Sequence, residues 1–274
     1  LRKYLRTAER YHLLNQNVLA RLFPDRFGPE AWQAHCEALS EVMAAFVFAD
    51  LLGFDLRPAP TRPRGTRTSQ LDFEVLGLSA DATGVEVKTA YEEPLAEPAA
   101  PRAIDNRERY RECFKVGQKQ CQKDRANILI VRDAMNFPTI HESIGGMADV
   151  VYGEPVIRIP ISMKTGGPAG ESVLDRKHNG RLLQRAAIEG TWQNTRIAAV
   201  VGLSHHWRPE ADARQHVCTV FHGPVARRPL NSADFRPVAD GLTFRQWVWL
   251  DEPGRPGWVR GEIRDDAGAI WKDG

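Results

Sequence analysis

The sequence predicts an α/β fold with added N-terminal helices and a β-rich C-terminal part, on three observations. Apolar residues recur at helical spacing through residues 2–23 and 29–53. Two alternating stretches follow, LDFEVLGL (71–78) and TGVEVKTAY (83–91). A cationic helix then precedes the apolar run ANILIVRD (126–133), so helix and strand signals interleave as in a helix-covered sheet.

The first helix is expected from Arg2 to Phe23 through Leu5, Leu13, Leu14, Val18 and Leu22, ending before Pro24. Pro29 opens a second, apolar-rich helix that Gly53 stops. DLRPAPTRPRGTRTSQ has neither period, and its Arg57, Arg62, Arg64 and Arg67 suggest an exposed basic loop. The strands 71–78 and 83–91 are joined by SADA, short enough for an antiparallel hairpin. The Pro-rich EEPLAEPAAPRAID reads as a loop, and a cationic helix spans about 105–125 before the buried strand 126–133. Further strands are expected at 155–162, 196–203 and 216–222, a helix near 180–190, and a hairpin over 243–265 turning at Pro253 to Gly257. With no repeat or clean linker, one domain is expected over 1–274: a helical extension (1–28), a core (29–135) and an elaboration of the sheet (136–274).

Composition excludes little. The 274 residues are 42% hydrophobic and 26% charged, and a formal charge of +2 neither demands nor forbids a polyanionic partner. Cys36, Cys113, Cys121 and Cys218 form no CxxC pair, which argues against a zinc knuckle or a disulfide framework and for reduced thiols. No apolar run reaches the roughly 18–20 residues of a membrane span, and LRKYLRTAERYHLL lacks a signal-peptide core, so a cytoplasmic protein without a membrane partner is expected.

Strand alternation puts Val85 and Val87 on one face of TGVEVKTAY and Glu86 and Lys88 on the other. In the neighbouring strand Asp72 and Glu74 share a face, and a hairpin brings Asp72 beside Glu86 and Lys88. Converging carboxylates repel unless a cation lies between them, and a hard divalent ion such as Mg²⁺ takes such oxygens plus waters. An adjacent Lys can stabilise, orient or deprotonate a metal-held water, which is the equipment for hydrolysing a phosphodiester.

Asp72, thirteen residues, then Glu86-Val87-Lys88 resembles the PD-(D/E)XK signature of restriction-endonuclease-like nucleases, with Leu71 where the family often has Pro. Residues 29–133 also follow the helix, hairpin, helix, strand order of that family. The resemblance implies a mixed central sheet flanked by helices. It makes Asp72 and Glu86 metal ligands, the Val87 carbonyl a further ligand, and Lys88 the base or electrostatic stabiliser. A Glu on the preceding helix is implied too: Glu41 stands twelve residues before Gly53, with Glu37 one turn earlier. On the helix after the motif, Lys115, Gln118, Lys119 and Gln122 fall on one face, and the family places a phosphate-positioning group there, Gln118 first. The implied cofactor is Mg²⁺, with Mn²⁺ substituting. The implied activity is endonucleolytic cutting of double-stranded DNA in a bacterial restriction or anti-phage defence system, by a homo-oligomer or with partner proteins of a defence complex. The alternative is a non-catalytic nucleic-acid-binding or assembly module that retains the fold.

With 35 acids and 8 Lys in 274 positions, an acid two residues before a Lys is expected roughly once by chance. Two occur, and Asp175-x-Lys177 lies in a polar stretch without evident alternation. Lys at position 88 is also against the trend of a chain whose 37 cations include only 8 Lys, and Lys, unlike Arg, can release its proton when its pKa is depressed. Arg62, Arg64, Arg67, Lys115, Lys119 and Gln122 are the expected nucleic-acid contacts, supplying salt-dependent affinity for phosphates. MKTGGPAG lacks phosphate-loop order, His205-His206-Trp207 lacks further ligands at zinc spacing, Ser143 lacks a nucleophile elbow, and His222 carries no motif.

Overall fold

In a computed structural model of the chain, the described residues are 1–26, 28–64, 67–91, 107–134, 144–159, 161–169, 173–176, 180, 182, 194–208, 213–251, 259–265 and 270–272. The single helix expected over 2–23 is two, α1 (Arg2–Arg10) and α2 (Gln16–Leu22). His12 takes a φ of 56°, and the Asn15 side chain accepts the Val18 N–H at 2.9 Å. Asn at an N-cap satisfies an orphan N–H that a continuous helix would not have, so the chain restarts there. Helix α3 (Pro29–Phe46) has Pro in its first turn and runs into a π-helical turn, Val47–Leu51. Gly53 then reverses the chain at φ 74°, a conformation that only glycine adopts freely.

The segment expected to be a basic loop contains strands. β1 (Asp55–Pro58) pairs antiparallel with β4 (Phe73–Leu76), and β2 (Arg62–Arg64) pairs with β3 (Arg67–Ser69) in a hairpin between them. β1 covers the outer edge of β4, where a Pro such as Pro58 is tolerated. β5 (Thr83–Tyr91) has the bounds expected from sequence and is antiparallel to β4 through Phe73↔Val85, Glu74↔Gly84 and Val75↔Thr83. Helix α4 (Arg107–Gly117) crosses to β6 (Asn127–Ala134), which lies parallel to β5. The connection expected as a Pro-rich loop, 92–105, lies outside the described residues.

Helix α5 (Ile144–Tyr152) was not expected, since two glycines weaken its local preference. Packing outweighs that cost, because Met147, Ala148, Val150, Val151 and Tyr152 are all buried. β7 (Pro155–Arg158) pairs with β8 (Val173–Arg176) as a separate ribbon, so Asp175, read from sequence as outside a strand, lies in one opposite Val156. Lys177 and most of the expected helix 180–190 fall outside the described residues.

β9 (Ile197–Arg208), β10 (Ala213–His222), β11 (Leu242–Asp251), β12 (Val259–Asp265) and β13 (Ile270–Lys272) extend the main sheet. Its nine strands run β1-β4-β5-β6-β9-β10-β11-β12-β13 with mixed parallel and antiparallel neighbours, so the chain is α/β. The expected C-terminal hairpin is present as the antiparallel β11–β12 pair. Alternation divides the core between the two faces. Val85, Val87, Ile128 and Ile130 pack under α1–α3, while Leu129 and Val131 pack with Tyr110 and Phe114 of α4 and Tyr152 of α5. The connection from β10 to β11 returns over the first face, where Phe235 meets Phe54 edge-on at 5.8 Å between centroids and the Val238 N–H donates to the Leu51 carbonyl at 2.8 Å. All four cysteines are free, and no helix of the described residues is long and apolar enough to cross a membrane.

Candidate active site

The site forms where β4 leaves β5. Their ladder ends at Phe73 and Val85, and beyond it β5 runs on from Glu86 to Tyr91 with no strand partner on that side among the described residues. Asp72 sits at the parting. Its N–H donates to the Val85 carbonyl at 3.0 Å, and its Oδ2 accepts the Val87 N–H at 2.6 Å. The N–H and C=O of one strand residue lie on the same edge, so the Val87 carbonyl is directed to the side where Asp72 lies.

A cleft of about 410 Å³ opens there, lined by Glu37 and Glu41 of α3, Asp72, Val87 and Lys88 of the strands, and Arg109 and Cys113 of α4. Gln33, Glu37 and Glu41 lie four residues apart along α3 and so share its cleft-facing side. The Gln33 amide donates to Glu37 at 2.9 Å, and the Tyr91 hydroxyl donates to Gln33 at 2.6 Å. The Lys88 Nζ lies 2.5 Å from Glu86 Oε1, whereas Glu86 Oε2 is buried without a hydrogen-bond partner. Glu41 accepts two parallel bonds from Arg21 of α2, each 2.9 Å.

Electrostatics mark these groups. Burial, followed by the Glu86 and Glu41 charges, pushes the Asp72 carboxyl well above the usual carboxylate range, and the Val87 N–H and Lys88 only partly oppose this. Burial also raises Glu86, with Lys88 pulling the other way. For Lys88, burial favours the neutral amine, but Glu86, then Asp72 and Glu37, together outweigh it and raise its pKa. Among the protein's own charges Lys88 therefore holds its proton. Of the two roles that the resemblance implies for Lys88, base or electrostatic stabiliser, a held proton favours the second. Burial pushes the Cys113 thiol up to about 12, so this cleft cysteine is protonated and unreactive.

Asp72, Glu86 and the Val87 carbonyl are hard oxygen donors of the kind that hold Mg²⁺, and the orphaned Glu86 Oε2 together with the mutual repulsion of the carboxylates suits a divalent cation. As placed, no three His, Cys, Asp or Glu side chains among the described residues form a ligating cluster, with Glu86 turned to Lys88 and Glu41 to Arg21.

The structure thus brings Asp72, Glu86, Val87, Lys88 and Glu41 together, with Glu37 beside them. It separates the second set. Helix α4 stops at Gly117, so the expected common face of Lys115, Gln118, Lys119 and Gln122 does not form. Lys115 is exposed and paired with Glu112 at 3.2 Å. Gln118 and Lys119 line a different cavity of about 150 Å³ with Arg196, and Gln122 is fixed through its N–H to Asn127 at 3.1 Å. Gly117 packs closely where it stands: a Cβ there would overlap the end of the Leu129 side chain and come within 3.3 Å of Lys88 Cγ, so both would have to shift. Arg62, Arg64 and Arg67 ride on the β2–β3 hairpin between β1 and Asp72. His222 is a core residue hydrogen-bonded to Gln246 at 2.9 Å, and Ser143 lies outside the described residues.

Sequence reasoning missed Arg21, since one Arg on a short helix gives no pattern. It also missed the role of Glu74. That carboxylate is fully buried between Arg57, whose Nε lies 2.6 Å away, and Arg125 of the turn before β6. An acid set within the apolar run LDFEVLGL was the available signal. Comparison of the chain with known protein families, with characterised proteins and with solved structures returns no match.

Proposed function

We propose that this chain hydrolyses phosphodiester bonds of nucleic acid with the help of a divalent metal ion, as a nuclease of the PD-(D/E)XK type. The convergence of Asp72, Glu41 and Lys88 on one cleft, with the buried Glu86 paired to Lys88 just beneath it, is the observation that carries this reading. The order α3, β4, β5, α4, β6, with β4–β5 antiparallel and β5–β6 parallel, agrees with the core that the resemblance implies.

In this reading Asp72, Glu86 and the Val87 carbonyl hold Mg²⁺ or Mn²⁺, which when bound supplies an activated water and a counter-charge to the phosphate. The Val87 N–H fixes the Asp72 carboxylate in rotation, so the ligand is oriented before any ion arrives. Lys88, held charged beside Glu86, stabilises negative charge building on the phosphoryl oxygens. The β2–β3 arginines lie close in sequence to Asp72 and draw the flanking phosphates. Double-stranded DNA cut internally, in a bacterial restriction or anti-phage defence setting, is the proposed substrate and context.

Incubation with supercoiled plasmid in Mg²⁺, Mn²⁺ or EDTA tests the proposal. Cutting that needs the metal and is lost in Asp72→Asn and Lys88→Ala is expected, and cutting that persists in those variants sinks the site. A second reading, a nucleic-acid-binding module without activity, is favoured by the closure of both Glu41 and Glu86 in ion pairs. Duplex binding without cutting in either metal selects it.

A further inference from the structure

A second cavity, of about 190 Å³, lies between α2 and the approach to β4, lined by Asn15, Asn17 and Gln70 among others. It shares only Arg21, Glu41 and Asp72 with the larger cleft. The Arg21–Glu41 ion pair is thus the partition between two spaces that both reach the central carboxylate. Neither partner is freely solvated, at 25% and 20% side-chain exposure, and the Arg21 Nε is buried with no hydrogen-bond partner.

This arrangement has a charge problem that bears on substrate binding. Glu37, Glu41, Asp72 and Glu112 all line the larger cleft, which a polyanion must enter. Lys88 is committed to Glu86 at 2.5 Å. Arg109 of α4 also lines this cleft, but Arg21 is the cation held on Glu41 within reach of the Asp72 charge, and its planar fork fits a phosphodiester as well as a carboxylate. A divalent ion gathered by Asp72 and Glu86 offers Glu41 a stronger counter-charge than a guanidinium, which leaves the fork free.

Resting on the nuclease reading above, we propose that Arg21 is a phosphate-binding residue of the cleft, stored on Glu41 and handed to the substrate when Glu41 turns toward the metal. Release of the pair also joins the two cavities across Asp72, so that one strand is held on both sides of the reacting phosphate.

The test reads binding and not cutting. A fluorescent DNA duplex is titrated with full-length protein in Ca²⁺, which prefers the same oxygen ligands as Mg²⁺, and in EDTA, across several salt concentrations. In Ca²⁺, Arg21→Ala is expected to weaken binding about tenfold and to reduce the slope of log affinity against log salt by about one. Arg21→Lys, which keeps the charge but not the fork, falls between. In EDTA, Glu41→Gln frees Arg21 and raises affinity about three- to tenfold, a gain that disappears in Arg21→Ala/Glu41→Gln and that a misfolded protein cannot show. Unchanged affinity and slope for Arg21→Ala in Ca²⁺, or a gain that survives in the double variant, overturns this inference alone. Wild-type protein that binds no duplex in either condition overturns the nuclease reading and this inference with it.

Discussion

Replacing Asp72 with Asn separates charge from shape at the centre of the cleft. The Asn carbonyl still accepts the Val87 N–H, so the hydrogen bond seen at 2.6 Å survives. What is lost is a buried negative charge that Glu86 and Glu41 repel and Lys88 only partly offsets. Burial, with the Glu86 and Glu41 charges, outweighs the Val87 N–H and Lys88 even with Arg21 nearby, and relief of that sum is worth about 1–3 kcal/mol. For a chain of 274 residues each kcal/mol moves the melting temperature by about 2 °C, so Asp72→Asn should melt about 2–6 °C higher than wild type in EDTA. Millimolar Mg²⁺ should close or reverse the gap, because ligand at a hundred times Kd adds about 2.7 kcal/mol to the wild type and nothing to a variant lacking the ligand. Differential scanning fluorimetry in EDTA and Mg²⁺ measures both. A variant that melts lower than wild type in EDTA, or an equal Mg²⁺ shift in the two proteins, refutes the account of Asp72 as a repelled metal ligand.

Three further perturbations follow from other sites. Burial holds His222 below its ordinary 6.5, so the unfolded chain binds the proton more readily. Stability is therefore full above that value and falls as the pH drops below it, by up to about 1.4 kcal/mol per pH unit, and His222→Gln should flatten the urea midpoint over pH 7.5 to 5.5. Gly117→Ala presses a methyl into Leu129 and the Lys88 stem, and should cost about 1–3 kcal/mol by denaturant melts while also lowering cutting. Arg125→Ala leaves buried Glu74 with only the half-exposed Arg57 and should cost about 3–5 kcal/mol, against about 0–1 kcal/mol for Arg57→Ala; equal losses would contradict the burial argument.

The strands were legible where one face is apolar. In β5 the valines at 85 and 87 fix the register, and register alone sets Glu86 and Lys88 opposite them, so the central trio could be read before any coordinates. Glu41 was reached through the resemblance, by counting back from Gly53, although the regular helix ends at Phe46 and a π-helical turn covers Val47–Leu51. Helix ends were not legible. VGQKQCQKD continues a plausible amphipathic face, and nothing local says that Gly117 is needed for clearance over Lys88 and Leu129, which is a tertiary demand. The same holds for α1 and α2, where a continuous leucine pattern hides the Asn15 cap. Arg57 looked like part of a basic loop because its partner, Glu74, is seventeen residues away and across a ladder. Long-range ion pairs leave no periodic trace.

The return of the β10–β11 connection over the helical face determines when this protein becomes a working molecule. Phe235 and Val238 hold Phe54 and Leu51, at the end of the same helical stretch that carries Glu41, and β9 supplies the second edge of β6. A chain cut after Ala134 would keep every residue of the Asp72 site yet bare a hydrophobic strand edge and leave α3 poorly anchored. The cleft is therefore not a detachable module: on a ribosome, the residues of the proposed site emerge before the ones that lock them into place.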